Sequence, residues 1–140
     1  MTISRIEVTI RALVGTWIAP GATSAWAAAI NDAGDIVGAV TFPTEIDAFE
    51  YRQGTFTTFK VHPGSKETFA SAVNYAGVVV GYFVPLHLGF QGFASHGESF
   101  IRVNFPGAIE TAPLNIDQTG NIVGFYADSQ GMLHGFLRTN

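Results

Sequence analysis

The sequence contains no cysteine and few charged residues. The absence of cysteine excludes disulfide bonds and thiolate metal sites. Charged residues make up only 13% of the 140 residues, about half of the ~25% that is usual in globular domains. Hydrophobic residues make up 47%, so the composition predicts one folded domain. Its weakly charged surface leaves room for contacts between subunits.

Basic segments and long hydrophobic runs are also absent. The net charge is −4 and the seven Lys and Arg residues are scattered, whereas nucleic-acid binding requires a basic face. No segment approaches the ~20 apolar residues of a membrane-spanning helix. Arg5, Glu7 and Arg11 interrupt the N-terminal apolar pattern, where a signal peptide needs about 7–15 apolar residues. We therefore expect no nucleic-acid or membrane partner and, by default, a cytoplasmic location.

The main positive feature is a segment that occurs three times. Its copies span residues 20–40, 63–83 and 106–126. Each begins with a Pro-Gly pair, and Pro20, Pro63 and Pro106 are 43 residues apart. A repeat of this length is typical of a β-propeller blade with four strands. We expect a single domain with repeats at about 13–54, 55–97 and 98–140, preceded by an extra strand in residues 1–12.

The first strand of each repeat is predicted at 24–30, 67–73 and 110–116. The Ala-rich segment 24–30 favours a helix by propensity. Its counterpart contains Pro113, and proline in a helix interior costs about 3 kcal/mol. A strand tolerates proline where the missing N–H faces no neighbour. The repeats therefore predict strands with one free edge.

A tight turn and a glycine-containing strand follow. Asn31, Asn74 and Asp117 begin the turns NDAG, NYAG and DQTG. Such side chains close Asx turns, and the turn glycine can take a positive φ. The next strand contains Gly38, Gly81 or Gly124, which predicts close packing or a kink at that position.

The predicted fold class is all-β and propeller-like. The third repeat lacks its outer strand, which we expect residues 13–19 to supply, so that the N-terminal strand closes the assembly. Three units are few, because propellers typically have 4–8 blades. A dimer would provide six. The alternative is a single chain with pseudo-threefold symmetry, such as a β-trefoil or β-prism.

The repeat contains a recognisable motif. The pattern Ile-Asn-x-x-Gly-x-x-Val-Gly occurs at residues 30–38 and more loosely at 73–81 and 116–124. A degraded His-Ala-Phe tripeptide follows at 47–49, 91–93 and 134–136. These motifs resemble the bacterial HAF repeat family, whose members are predicted to be mostly extracellular and whose role is unknown. The resemblance covers about residues 13–140 and carries over no catalytic residues.

Four aromatic residues are candidates for ligand binding. The rings of Trp17, Trp26, Phe69 and Tyr75 can stack on a sugar face or line a pocket, although aromatic residues in β proteins more often belong to the core. Trp26 and Phe69 share one repeat position, where the third repeat has Ala112. The pattern indicates two similar pockets and one altered one, or variation in packing.

The recurring polar residues offer a second kind of ligand site. Asn31, Asn74 and Asp117 most simply serve the turn, and the alternative is a polar-ligand cluster. With Asp32 and Asp35, the first turn has oxygen ligands of the kind that Ca²⁺ accepts. The second repeat reads NYAGV, which argues against a Ca²⁺ site in every repeat. We expect no cofactor, with Ca²⁺ as a weak alternative.

Catalytic residues have no motif support. No HExxH, Gly-x-Ser-x-Gly or phosphate-binding motif occurs. The loops that vary between repeats provide Glu45, Asp47, His87 and His134. A cleft built from these four could support acid–base or metal chemistry, although scattered, solvated side chains are the simpler interpretation.

The sequence therefore leaves three functions open. The first is a small-molecule or carbohydrate-binding, lectin-like module that acts as a homo-oligomer, with a dimer favoured. The second is a hydrolase or lyase with one site at the ring axis or at a subunit interface. The third is a structural fragment of a longer repeat array.

Overall fold

A computed structural model describes residues 19–140 of the chain. Residues 1–18 lie outside the described part, and so do the predicted strands there, almost all of the closing strand 13–19, and Trp17. Within residues 19–140 all regular secondary structure is β-strand, which confirms the all-β prediction. The eleven strands are β1 (Ser24–Ile30), β2 (Ile36–Thr41), β3 (Ile46–Arg52), β4 (Thr55–Phe59), β5 (Glu67–Val73), β6 (Val79–Val84), β7 (Gln91–His96), β8 (Ser99–Arg102), β9 (Glu110–Ile116), β10 (Ile122–Ala127) and β11 (Leu133–Arg138).

The strands form three antiparallel meanders. The first two cross the predicted repeat boundaries, because β4 and β8 lie in the predicted repeats 55–97 and 98–140 but pair with the strands that precede them. We call β1–β4 the first sheet unit, β5–β8 the second and β9–β11 the third. One parallel bridge, between Ile46 and Glu67, joins the first two units. Hydrogen bonding therefore gives an eight-stranded sheet and a three-stranded sheet, and both are open over residues 19–140.

The first strand of each unit has the predicted bounds and is not a helix. Pro113 lies in β9, with Gly124 as its Cα partner on β10. In the part of the chain that is described, β1 and β9 each pair with one neighbouring strand, as expected, although the Thr111 N–H of β9 also donates to the Phe90 carbonyl at 2.8 Å. The edge of β5 departs from this prediction, because its first residue bridges to β3.

The repeated strand glycines face a bulge in the neighbouring first strand. In the second unit the register shifts between Ala70 and Ala72, opposite Gly81. A Cβ atom at Gly81 would collide with the carbonyl oxygen of Phe69. Gly38 and Gly124 face corresponding bulges. The predicted close approach is therefore confirmed, and its cause is that the bulge brings the backbone over the position of the missing side chain.

The core lies between successive sheet units. Val37 of the first unit is buried with Phe83 and Phe93 of the second. Val80 of the second unit is buried in a separate cluster with Ile122 of the third. One face of each meander thus packs against the opposite face of the next, which is how repeat proteins bury apolar surface that a single repeat cannot cover.

Candidate functional site

A row of four aromatic rings connects the first and second sheet units. Trp26 lies on β1 and its ring centroid is 6.0 Å from that of Phe69 on β5. Phe69 stacks on Tyr82 of β6 at 5.0 Å, and Tyr82 contacts Phe90 at 5.1 Å. We call Trp26, Phe69, Tyr82 and Phe90 the aromatic row. Trp26 is 42% exposed and the other three are partly exposed, so the row presents ring surface to solvent.

Backbone register explains why these rings meet. Phe69 and Tyr82 are Cα partners across the β5–β6 pair, so their side chains lie on the same face of the sheet. Trp26 occupies the repeat position of Phe69 one unit earlier. Ala112 stands at this position in the third unit and is fully buried. The two similar positions therefore form one continuous row instead of two separate pockets, and the row does not extend through Ala112.

Tyr82 gives the row a polar group. Burial raises the pKa of the Tyr82 phenol, and the carboxylate of Glu67 raises it further. The hydroxyl therefore stays neutral at physiological pH and can both donate and accept a hydrogen bond. The site thus combines apolar ring faces, one neutral hydroxyl and one nearby carboxylate.

Tyr75 does not belong to the row. It lies in the β5–β6 turn with an exposed ring, and its backbone N–H donates to Oε1 of Gln118 at 2.7 Å. Tyr75 therefore contributes to the contact between the turns of the second and third repeats.

The first residue of each turn, Asn31 or Asn74, closes its turn by a side-chain hydrogen bond, as the simpler interpretation predicted. Oδ1 of Asn31 accepts from the Asp35 N–H at 2.9 Å, and Oδ1 of Asn74 accepts from the Val78 N–H at 2.9 Å. Each amide nitrogen then reaches the next repeat: Asn31 donates to the Asn74 carbonyl at 2.8 Å, and Asn74 donates to the Asp117 carbonyl at 3.2 Å. These side chains therefore link the repeats in a ladder of hydrogen bonds.

Asp117 ends the ladder because a carboxylate has no N–H to donate. Its oxygens accept from the backbone N–H groups of Thr119 and Asn121 and from both of their side chains. Hydrogen bonds from Thr119 and Asn121 lower the pKa of Asp117 to about 2. The carboxylate is thus held by its own turn.

Two of the three oxygen ligands that the sequence offered for Ca²⁺, Asn31 and Asp35, are engaged with protein groups. Asp35 Oδ2 accepts from the Asn31 amide at 2.9 Å and lies 3.5 Å from Nε of Arg52. Across residues 19–140 no group of three or more His, Asp or Glu side chains is placed to hold a metal ion.

The structure brings together two of the four catalytic candidates. Glu45 and Asp47 both pair with the ammonium group of Lys60. Burial raises the pKa of Asp47, while Lys60 acts to lower it. His134 lies instead on β11, where it bonds to Asp128 Oδ2 at 2.8 Å and stacks on Tyr126. His87 lies in the β6–β7 loop, in a left-handed conformation with φ of 68°.

Comparisons with known proteins place this chain in no family. A scan against protein-family models finds no match, and a search of curated protein sequences finds none either. Within residues 19–140 no helix is long and apolar enough to cross a bilayer.

Sequence reasoning missed two members of the aromatic row and a cleft. Drawing the β5–β6 hairpin back from its turn would pair Tyr82 with Ala70, because the bulge between Ala70 and Ala72 that moves the pairing to Phe69 is not visible in the sequence. Phe90 has no signal either, because a variable loop sets its position. The cleft has a volume of about 310 Å³ and lies between the β3–β4 region and the β7–β8 hairpin. Its lining includes Glu50, Lys60, Ser95 and Phe100. The first three do not recur in the repeats, whereas Phe100 has Phe56 as its counterpart in the first unit.

Proposed function

We propose that the protein is a carbohydrate-binding, lectin-like module and that the aromatic row is its binding surface. The observation that carries this proposal is the partly exposed stack from Trp26 to Phe90, with successive centroids between 5.0 and 6.0 Å apart. Such a surface matches a ligand that has flat apolar faces and polar edges.

A sugar ring has this chemistry. Its C–H groups form an apolar face that packs on an aromatic ring, and its hydroxyls need hydrogen-bond partners at the edge. In the row, the Tyr82 hydroxyl and the Glu67 carboxylate supply partners beside the rings. Binding sites of this kind combine apolar lining with a few placed polar groups.

The three sheet units support a propeller-like scaffold. Each complete unit is a four-stranded meander, and successive units pack face against face. We propose that the chain acts as a homodimer with six units. One row per chain then gives two sites per dimer. On a multivalent glycan the second site binds at a high effective concentration once the first is occupied, which raises the apparent affinity.

The test measures sugar binding through tryptophan fluorescence, in a variant that keeps Trp26 as its single tryptophan. The chain has two tryptophans, so Trp17→Phe leaves Trp26 as the only one. We expect a glycan from a mixed pool to change the fluorescence of Trp26. In the otherwise unchanged protein, Trp26→Ala or Phe69→Ala should weaken binding, measured by calorimetry, at least about tenfold.

Tyr75→Ala is the matched control, because Tyr75 is an exposed aromatic residue outside the row. Its binding constant should stay within about twofold of the unmodified protein, since it removes no ring of the site. The proposal fails if no glycan binds, or if Tyr75→Ala weakens binding as much as Trp26→Ala does.

A further inference from the structure

One face of the third sheet unit is open where the same face of the first two units is buried. Val37, Val80 and Val123 are the same residue at the same repeat position. Val37 and Val80 have no exposed surface, whereas Val123 is 44% exposed. The following unit covers Val37 and Val80, and no described residues cover Val123 in this way.

At two positions the open face carries larger apolar residues than its internal counterparts. Leu137, the Cα partner of Val123, stands where the second repeat has Ala94 and the first has Glu50. Leu114 likewise replaces Ser71. We call Leu114, Val123, Leu133 and Leu137 the end face. All four are exposed, and an exposed apolar patch of this kind marks an interaction surface.

The first sheet unit does not offer a free matching face. In the second and third units, Val79 and Ile122 lie on the face that receives the preceding unit. Their counterpart Ile36 is already buried, in a cluster with Val40 and Phe49. Among the described residues of this face, Ile30 at the end of β1 is the exposed large apolar side chain, and the small Ala27 is exposed beside it. A second copy therefore has little surface on its first unit with which to cover the end face.

The hydrogen-bond ladder also stops at the third unit. The side chains of Asn31 and Asn74 each donate to the following repeat, but the side chain of Asp117 has no N–H to donate and its oxygens are held by its own turn. Continuing the repeat from one copy into the next would thus lack the hydrogen bond that links the repeats within a chain.

We propose that two copies associate through their end faces, third unit against third unit, about a twofold axis. Such an isologous contact pairs an apolar face with itself, needs no side-chain donor from Asp117, and has the symmetry that is commonest among soluble oligomers. The dimer then has six propeller-like sheet units in an open row, with a first unit at each end, and is not a closed six-bladed ring. The inference deepens the oligomer part of the proposed function and does not depend on sugar binding.

The test compares two aspartate variants with matched exposure. Leu137 on the end face and Ile30 on the first unit are both 64% exposed. By sedimentation velocity, the full chain should be a dimer, and Leu137→Asp should raise the dimer dissociation constant at least about tenfold. Ile30→Asp should leave it within about twofold, because Ile30 lies outside the proposed contact.

Three outcomes would overturn the proposal. A monomeric unmodified chain removes the interface. Equal dissociation by Ile30→Asp and Leu137→Asp would indicate a head-to-tail ring. A dimer unaffected by Leu137→Asp and Val123→Asp would place the contact elsewhere. Circular dichroism checks that each variant is folded, and the Trp26 assay reports sugar binding independently.

Discussion

A single substitution at one repeat position separates the third turn from the other two. Asparagine at positions 31 and 74 both closes its turn and donates to the next repeat. Aspartate at position 117 closes the turn with more hydrogen bonds and donates none. Aspartate at this position therefore removes the side-chain hydrogen bond to the next repeat and adds hydrogen bonds within its own turn.

The Asp117 turn should weaken in acid. The pKa of Asp117 is about 2 in the folded chain, against about 3.9 for an unperturbed aspartate. Because folding lowers this pKa, the ionised carboxylate stabilises the fold above about pH 4, and this contribution is lost as the pH falls towards about 2. We expect the stability advantage of the unmodified chain over Asp117→Asn to shrink across this range in urea titrations. A difference that does not change with pH would contradict the assignment.

At the scale of single strands, repetition in the sequence made the fold predictable. Pro113 excluded a helix for segment 110–116 and, through the repeat, for the Ala-rich segment 24–30 as well. The observed first strands have the predicted bounds. The strand glycines were predicted to mark close packing, and the bulges explain them.

The aromatic row was only partly predictable for a physical reason. Trp26 and Phe69 stood out because they share a repeat position, but their contact depends on how one unit packs on the next. Phe90 enters the row through a loop that differs in every repeat. The catalytic hypothesis had the same weakness, since Glu45 and His134 come from loops whose relative placement no periodic pattern determines.

The close approach at Gly81 gives a prediction at the scale of a hairpin. Gly81→Ala places a methyl group against the Phe69 carbonyl, so β5 and β6 must move apart. We expect a loss of about 3 kcal/mol in the free energy of unfolding, as in overpacked cores, measured by urea denaturation.

The matched control is Gly64→Ala. A Cβ atom at Gly64 would lie 3.5 Å from the His62 ring, which is ordinary contact. Its effect should stay within about 0.5 kcal/mol. Equal losses at the two glycines would mean that the bulge is not the cause.

At the scale of the whole molecule, stability depends on the contacts between sheet units. The main apolar clusters span the first and second units and then the second and third. Such a chain behaves as a short linear array, in which each unit is stabilised by its neighbours. The third unit has only one neighbour in the described part of the chain and should open most readily.

Removing the Asn74 link tests this coupling. Asn74→Ala deletes the hydrogen bonds of a buried side chain to the Val78 N–H and to the Asp117 carbonyl. We expect a loss of about 2 kcal/mol. In hydrogen exchange, the amides of β9–β11 should lose more protection than those of β6 and β7, because the third unit is released first.

Gln118→Ala provides the comparison, since it removes a bond between the same two repeats at an exposed position. Its cost should be about 0.5 kcal/mol. If both variants lower protection evenly over all strands, the sheet units unfold together and the array description is wrong.

The acceptor-only side chain at position 117 also means that the repeats cannot be exchanged freely. If the third repeat were moved to the middle of the chain, it would break the ladder at the new junction, whereas an additional copy of the second repeat could be inserted without loss of a donor. The order of the repeats is therefore part of the information in the sequence. An engineer who wishes to lengthen the protein should duplicate residues 55–97 and keep the aspartate for the final turn.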